Sequence, residues 1–312
     1  SFDIDLNNIK RSDVSWHNFI LGVLDNLTNK MGLELKNFDC VIGGDLPVGA
    51  GISSSSALIC GMLKGLCLIN NLNLSKDSII KIAREVEHEY IGVKGGIMDQ
   101  FTIMNGKQDK LILLDCSKKT HKYIDINLNQ YQILLLNTNV KHNLSETSYN
   151  ERVLECRKAL KIINEKNNIY GFLTEVPLNV LQNFKDTLDK KIFNRALFVI
   201  QEQGRVLSAY NKLLAKDIYS FGELMYESHY GLKNLYEVSC DELDFLVDFS
   251  MSREYVLGSR MMGGGFGGCV INLIHSDFLN EYINKISGLY RKKFSLDLSP
   301  DIVKISKGLS YA

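Results

Sequence analysis

A glycine- and serine-rich loop between residues 45 and 58 is the first feature of the sequence that could carry chemistry. Its letters, DLPVGAGISSSSAL, place Gly49, Ala50 and Gly51 ahead of four consecutive serines. Small residues let a backbone approach a ligand closely, and the N–H groups at the start of a helix attract anions. We favour a phosphate-binding loop over a flexible linker, because linkers are seldom placed between a strand and a buried helix. No lysine follows the glycines, so the pattern GxxxxGK[ST] is absent.

A second glycine-rich stretch, RMMGGGFGGCV, spans residues 260–270. Gly263, Gly265 and Gly268 fit the pattern GxGxxG, but a strand is predicted after them, which excludes a dinucleotide fingerprint that opens a helix. A protein-kinase loop is excluded too, because too little chain follows for the other protein-kinase elements. We expect this stretch to approach a ligand or another loop closely, with a tight structural turn as the alternative.

Two carboxylates stand in unusual surroundings. Asp99 lies in GGIMDQF, among apolar residues, and should be desolvated unless it is paired. Such a carboxylate suits a functional acid or base, although a helix cap or a turn is the simpler alternative. Glu87 follows Ala83 by four residues and Ile79 by eight, which puts it at the border of the buried face of a predicted helix. We therefore expect Glu87 to have a partner.

The elements that would position these residues alternate irregularly between helices and strands. Helical periodicity predicts an amphipathic helix at residues 15–32, a nearly all-apolar helix after the serine run, and a helix at 75–91 capped by Ser75. Apolar runs predict strands at residues 38–47, 109–116, 131–139, 269–274 and 301–306. This mixture favours an α+β fold, divided near Asn129 into domains of residues 1–128 and 129–312.

The composition excludes several classes of function. The 312 residues carry 36 basic and 36 acidic side chains, and this zero net charge argues against nucleic acid as a partner. No apolar run is long enough to span a membrane, and no signal peptide opens the chain. The seven scattered cysteines lack metal-ligand spacing, so we expect reduced, buried cysteines in a cytoplasmic protein.

Four segments, taken in order, resemble the galactokinases, a branch of the GHMP superfamily of small-molecule kinases. PVGAGISSSSAL resembles the second motif of the superfamily and GGGFGG resembles the third. GIMDQF and the segment NTNVKHNLSETSYNERVLEC at residues 137–156 are particular to the galactokinase branch. The similarity covers essentially the whole chain. It implies a two-lobed fold, with an S5-like N-terminal domain that is incomplete here and a ferredoxin-like C-terminal domain.

The resemblance also implies a reaction and assigns residues to it. The expected reaction is ATP-dependent phosphorylation of galactose at the 1-hydroxyl by a monomeric enzyme, with Mg²⁺ held by Ser55 and Glu87. Asp99 would be the catalytic carboxylate, and Tyr149 and Gly96 would lie against the sugar. The loop around the ATP phosphates would comprise Gly49, Ala50, Gly51, Ile52, Ser53, Ser54 and Ser55. The loop supporting it would comprise Gly263, Gly264, Gly265, Gly267 and Gly268.

The sequence departs from the family pattern in two places. The first family motif, of the form GRVNLIGEHTDY, is not found in these 312 residues, and Arg11, the only arginine before the phosphate loop, has a different setting. We therefore expect this chain alone to phosphorylate galactose barely or not at all. Ser56 stands where the family usually has Ala, a change that should be tolerated on size. The alternatives are a related GHMP sugar kinase, such as a GalNAc kinase, and a non-catalytic sensor of galactose and ATP.

Overall fold

The protein forms two compact units in the computed structural model, which describes residues 2–47, 49–140, 145–167 and 169–311. One unit consists of Ser1–Val48, Ser53–Asp125 and Ile305–Ala312, and the other of Gly49–Ile52 and Ile126–Lys304. The last residues of the chain therefore return to the first unit. The predicted domain boundary after residue 128 stays a prediction.

Helices dominate the first unit. They are α1 (His17–Asp25), α2 (Ser54–Ile69), α3 (Lys76–Val86) and α4 (Met98–Asn105). Short π-helical segments, Asn26–Lys30 and Glu87–Ile91, continue α1 and α3. Ser75 caps α3 as predicted, because its hydroxyl accepts a hydrogen bond from the backbone N–H of Ser78. The apolar stripes of α1, α2 and α3 pack together, and Leu24, Ile59 and Ala83 have no exposed surface.

A two-stranded antiparallel sheet completes the first unit. Strands β1 (Lys110–Asp115) and β2 (Thr120–Asp125) pair along their whole length. Strand β1 was predicted, whereas β2 was not, because its sequence THKYID has little apolar character. The C-terminal segment lies against α4, where the Gly308 N–H donates to the Gly106 carbonyl at 2.8 Å.

The predicted strand at residues 38–47 is wrong. This segment has no regular secondary structure, and Val41 is 98% exposed. A strand needs a neighbour for its backbone N–H and C=O groups, and none of the described strands pairs with it. Gly43 and Gly44 at its centre also have low strand propensity.

The second unit contains a four-stranded antiparallel sheet with the order β4-β5-β3-β6. Its strands are β3 (Tyr131–Asn137), β4 (Val256–Met261), β5 (Cys269–His275) and β6 (Ser299–Val303). Its helices are α5 (Ser145–Asn167), α6 (Leu178–Gln182), α7 (Lys190–Leu214), α8 (Ile218–Gly231), α9 (Asp241–Met251) and α10 (Leu279–Phe294). The predicted α+β class is confirmed, with small antiparallel sheets in both units.

Strand β4 was not predicted, because glycine, serine and arginine interrupt its apolar residues. The structure explains the glycine, since Gly258 lies directly against α8. A Cβ atom on Gly258 would come within 2.6 Å of the Gly222 Cα atom, and one on Gly222 would come within 2.1 Å of the Leu257 carbonyl oxygen. Two glycines thus let a helix and a strand pack at backbone distance.

Two further expectations concern the cysteines and the membrane. All seven cysteines are unpaired, as predicted. The expectation that they are buried is wrong for Cys40, which lies in the exposed segment at 38–47, and for Cys116, which lies in the turn after β1. Across the described residues, no helix combines the length and the apolar character needed to cross a membrane.

Candidate active site

The predicted phosphate loop leads into α2 through a series of left-handed backbone conformations. Gly49, Gly51 and Ser53 have φ values of +76°, +71° and +62°. Alternating conformations of this kind turn successive N–H groups toward one side, which is how a chain binds an anion. Ser53 precedes the first residue of α2, but its side chain does not cap the helix. The first N–H groups of a sixteen-residue helix are therefore not satisfied by that side chain, as a phosphate site requires.

The Glu87 carboxylate lies close to this helix start and has the partners that its position demanded. Its Oε1 atom accepts hydrogen bonds from the hydroxyls of Ser56 at 2.5 Å and Ser55 at 3.3 Å. Its Oε2 atom accepts one from the side-chain amide of Gln100 at 2.6 Å. Helices α2 and α4 thus supply donors to one buried acid that follows α3. Sequence reasoning singled out Ser55 and Glu87 for this site but missed the part of Ser56 and Gln100.

The electrostatic setting of Glu87 favours a bound cation. Burial raises the pKa of the Glu87 carboxyl above its ordinary value, and the hydrogen bond from Ser56 opposes that rise. The negative charge of Asp99 adds to the rise, so the two acids repel each other. A cation bound beside Glu87 would relieve both the lost hydration and this repulsion.

The donor set fits Mg²⁺. A carboxylate and a serine hydroxyl are hard oxygen ligands, which Mg²⁺ prefers. No cluster of three or more His, Cys, Asp or Glu side chains within the described ranges could enclose a metal. Mg²⁺ fits such a sparse set, because it commonly keeps several waters and binds through one or two protein ligands plus substrate phosphates.

Asp99 lies in the first turn of α4, where a negative charge is favourable for the helix dipole. Its side chain is half-buried, so the expected desolvation is incomplete. The reason is the turn itself, which points Met98 outward while Ile97 and Phe101 enter the core. Gly96, the other predicted residue here, is exposed, and a Cβ atom there would meet open space.

The second glycine-rich stretch closes the hairpin between β4 and β5 and lies against residues 50 and 51. A Cβ atom on Gly263 would come within 2.9 Å of the Gly51 carbonyl oxygen, and one on Gly268 within 3.0 Å of the Ala50 carbonyl oxygen. The Thr138 N–H and hydroxyl both donate to the Gly268 carbonyl, at 3.0 and 2.8 Å. The expected close approach to another loop is thereby confirmed.

Tyr149 lies on α5 beside the same hairpin. A Cβ atom on Gly264 would be 3.2 Å from its ring atom Cδ2, so the structure brings these two predicted residues together. Residues 141–144 of the family-like segment lie outside the described residues. One turn further along α5, the buried Arg152 donates to the backbone carbonyls of Tyr236 at 2.8 Å and Glu237 at 3.0 Å. Sequence reasoning gave Arg152 no role.

Replacing Gly265 with Ala should destabilise the protein by about 2 kcal/mol. Gly265 has a φ of +85°, and a Cβ atom there would lie 2.1 Å from the Val238 carbonyl oxygen. That carbonyl accepts a hydrogen bond from the Phe266 N–H at 2.7 Å, so the clash would also break a contact of the hairpin. Urea denaturation measures the effect.

The matched control is Gly288→Ala in the middle of α10, where a Cβ atom would meet nothing within 4 Å. Alanine there should leave the free energy of unfolding unchanged or raise it by up to about 1 kcal/mol. Equal midpoints for the two variants would contradict the steric argument.

Comparisons with known families define the class of protein. The profile described as "GHMP kinases N terminal domain" matches residues 18–107, and the profile "GHMP kinases C terminal" matches residues 209–287. The fold is also found in a mevalonate kinase, with a TM-score of 0.58 at 22% identity over 97% of this chain and 82% of that one. These matches define a small-molecule kinase of the GHMP class.

Closer relatives specify the family. A galactokinase from Clostridium tetani is 39% identical over 295 residues, which are 93% of this chain and 74% of that protein. A galactokinase from Clostridium acetobutylicum is 39% identical over 97% of this chain and 78% of that protein. The crystal structure of Lactococcus lactis galactokinase complexed with galactose superposes with a TM-score of 0.90 at 31% identity, covering 98% of this chain and 79% of that one. The chain therefore belongs to the galactokinase family.

Proposed function

We propose that the chain is an ATP-dependent kinase that transfers the γ-phosphoryl group of ATP to the 1-hydroxyl of galactose, giving galactose 1-phosphate and ADP. The observation that carries this proposal is the Glu87 carboxylate, held by Ser55, Ser56 and Gln100 beside the start of α2. An acid of this kind next to a phosphate-binding helix start is suited to a metal–nucleotide complex. We infer galactose as the sugar substrate from the 37–39% identity of the chain to galactokinases.

Residues 49–55 bind the phosphates of ATP in this proposal. The backbone N–H groups of the loop and of the first turn of α2 neutralise charge on the phosphate oxygens. Ser55 and Glu87 would hold Mg²⁺, which neutralises phosphate charge when bound. The supporting loop comprises Gly263, Gly264, Gly265, Gly267 and Gly268, of which Gly263 and Gly268 lie against the backbone of residues 51 and 50.

Asp99 is the proposed catalytic carboxylate. It accepts the proton of the sugar 1-hydroxyl or orients that hydroxyl toward the phosphorus, and positioning of this kind supplies much of the catalysis in phosphoryl transfer. We assign sugar contacts to Gly96 and to Tyr149. The open space at Gly96 and the half-exposed ring of Tyr149 leave both accessible.

The galactokinase relatives favour this function over a related sugar kinase such as a GalNAc kinase. A non-catalytic sensor of galactose and ATP is also not favoured, since the chain keeps both Glu87 and Asp99. That the enzyme is cytoplasmic and monomeric stays a prediction.

Replacing Glu87 with Gln tests the proposal without requiring turnover. Calorimetric titration with a non-hydrolysable ATP analogue, with and without Mg²⁺, measures how far the metal tightens nucleotide binding. The wild-type chain should bind the analogue more tightly when Mg²⁺ is present. Glu87→Gln should lose about tenfold or more of that gain, because it removes the charge that holds the metal while keeping the size of the side chain.

The matched control is Glu85→Gln, which removes a carboxylate from α3, two residues before Glu87. The ion-pair partner of Glu85 is Lys81, 3.8 Å away. This variant should keep the full effect of Mg²⁺. A wild-type chain that binds no nucleotide, or an equal Mg²⁺ effect in Glu87→Gln and the wild type, would contradict the assignment of the metal site.

A further inference from the structure

Gln100 is a fully buried polar side chain that the proposed reaction leaves without a role. It follows Asp99 on α4, has 1% of its surface exposed, and donates through its amide to Glu87 Oε2 at 2.6 Å and to Ser56 Oγ at 3.2 Å. Its own side chain therefore links the helix that carries the proposed catalytic acid to the acid proposed to hold Mg²⁺.

The orientation of the Gln100 amide shows which contact determines it. Its Oε1 atom is buried and has no hydrogen-bond partner among the residues that the structure describes. A buried acceptor without a partner costs about 1–3 kcal/mol. Turning the amide over would place that oxygen against the Glu87 carboxylate, an acceptor facing an acceptor. The hydrogen bond to Glu87 thus fixes the orientation of the amide, although its Oε1 atom is left without a partner.

Ser56 fixes the other oxygen of the same carboxylate. Its hydroxyl is buried and donates to Glu87 Oε1 at 2.5 Å, the length of a strong charge-assisted hydrogen bond. With a donor on each oxygen, the carboxylate plane can no longer rotate freely. Ser55, by contrast, is 3.3 Å from Oε1 and makes a longer, weaker bond.

We propose that Gln100 and Ser56 are positioning residues that lock the Glu87 carboxylate in the orientation in which it binds Mg²⁺. This inference rests on the proposed function. Partners of a metal ligand that fix its direction commonly matter nearly as much as the ligand, and their loss costs about 10–100-fold in metal affinity. Gln100 also fixes the distance between Glu87 and the helix turn that bears Asp99.

Gln100→Met tests the inference, because methionine keeps the length of the side chain and removes its donors. Titration of Mg²⁺ at a fixed concentration of a non-hydrolysable ATP analogue gives the Mg²⁺ concentration at half-maximal effect. This concentration should rise about tenfold in Gln100→Met. Binding of the analogue without metal should stay as in the wild type, since Gln100 donates to the side chains of Glu87 and Ser56 and not to residues 49–55.

Ser56→Ala provides a second, milder variant, because alanine at this position should be tolerated on size. The loss of one hydrogen bond should raise the half-maximal Mg²⁺ concentration about fivefold. In the double variant the increase should be well below the product of the two single effects, because both residues act through one carboxylate. If Gln100→Met does not fold, as judged by thermal unfolding, Ser56→Ala decides the matter alone.

Asn105→Leu is the control for general damage to α4. Asn105 donates to the Phe101 carbonyl at 3.2 Å on the same helix and makes no hydrogen bond to Glu87. This variant should lower the melting temperature and leave the Mg²⁺ dependence unchanged. If the wild type shows a Mg²⁺ effect and both Gln100→Met and Ser56→Ala keep its half-maximal Mg²⁺ concentration, this inference is overturned and the proposed metal site is not. A wild type without any Mg²⁺ effect would overturn the inference and the proposed metal site together.

Discussion

Asp99→Asn is expected to lower the rate of galactose phosphorylation by about a thousandfold. A positioned carboxylate that takes a proton in the transition state contributes about 10²–10⁴ to the rate, and an amide of the same size cannot take that proton. Asp99 is half-buried in the first turn of α4, and asparagine has the same size, so the substitution should not disturb the core. Nucleotide affinity should stay within about twofold, because the groups assigned to ATP and its metal are residues 49–55 and Glu87.

The rate is measured as galactose-dependent formation of ADP. Where the 312-residue chain turns over too slowly, wild type and variant are both measured with a segment that carries the GRVNLIGEHTDY-type motif joined ahead of Ser1. Asp77→Asn is the control, since Asp77 is an exposed acid in the first turn of α3 and should keep the full rate. An Asp99→Asn rate within a few-fold of the wild type would remove Asp99 from the chemistry. No phosphorylation by the extended wild type would favour a sensor.

Local sequence patterns predicted the parts of the site that depend on one element at a time. The helical spacing from Ile79 to Glu87 placed that acid beside a buried face, and the serine run after Gly51 predicted a helix start suited to phosphate. Both inferences need only the periodicity of one helix and the chemistry of its first turn. The partners of Glu87 were not predicted, because Ser56 and Gln100 contact it only through the packing of α2, α3 and α4.

The errors have the same physical origin. Residues 38–47 have the apolar content of a strand, but a strand exists only where another strand pairs with it, and that partner is not encoded in the segment itself. Strand β4 was missed for the opposite reason, because it pairs with a neighbouring strand although its sequence pattern is weak. Gly258 weakens the pattern, and it is needed for the close contact with Gly222. Side-chain patterns therefore located the helices better than the strands in this chain.

A network of ion pairs in the second unit holds the segment next to the glycine hairpin. Arg195 has no exposed surface, and its guanidinium donates to Glu155 at 3.2 Å, to Glu237 at 2.5 Å and to the Leu235 carbonyl. Residues 235–237 lead directly to Val238, whose carbonyl accepts a hydrogen bond from the Phe266 N–H in the hairpin. The position of the hairpin thus depends on ion pairs that no single sequence motif reveals.

Arg195→Met is expected to destabilise the protein by about 3 kcal/mol, because it removes a fully buried guanidinium that donates to Glu155, to Glu237 and to the Leu235 carbonyl. Glu155 keeps Arg152 and Lys191 as ion-pair partners. Methionine keeps much of the volume, so the loss reports on charge and hydrogen bonds more than on packing. In a protein of this size each kcal/mol lowers the melting temperature by about 2–4 °C, which calorimetry resolves easily. Arg157→Met on the exposed side of α5 is the control and should shift the melting temperature by no more than about 2 °C.

The pH dependence of the unfolding free energy, measured for the wild type and for Arg195→Met, distinguishes the loss of charge from the loss of packing. The hydrogen bond from Arg195 lowers the pKa of Glu237 below its ordinary value of 4.5. Burial alone would raise the pKa of Glu155, but the hydrogen bond from Lys191 and the charge of Arg152 lower it below 4.5 as well.

A carboxyl whose pKa is lowered on folding stabilises the protein above its unfolded pKa and loses that effect as the pH falls through its folded pKa. The difference in unfolding free energy between wild type and Arg195→Met should therefore be full near pH 7 and shrink below about pH 4.5. A difference that stays constant down to pH 3 would show that Arg195 stabilises the unit by packing alone.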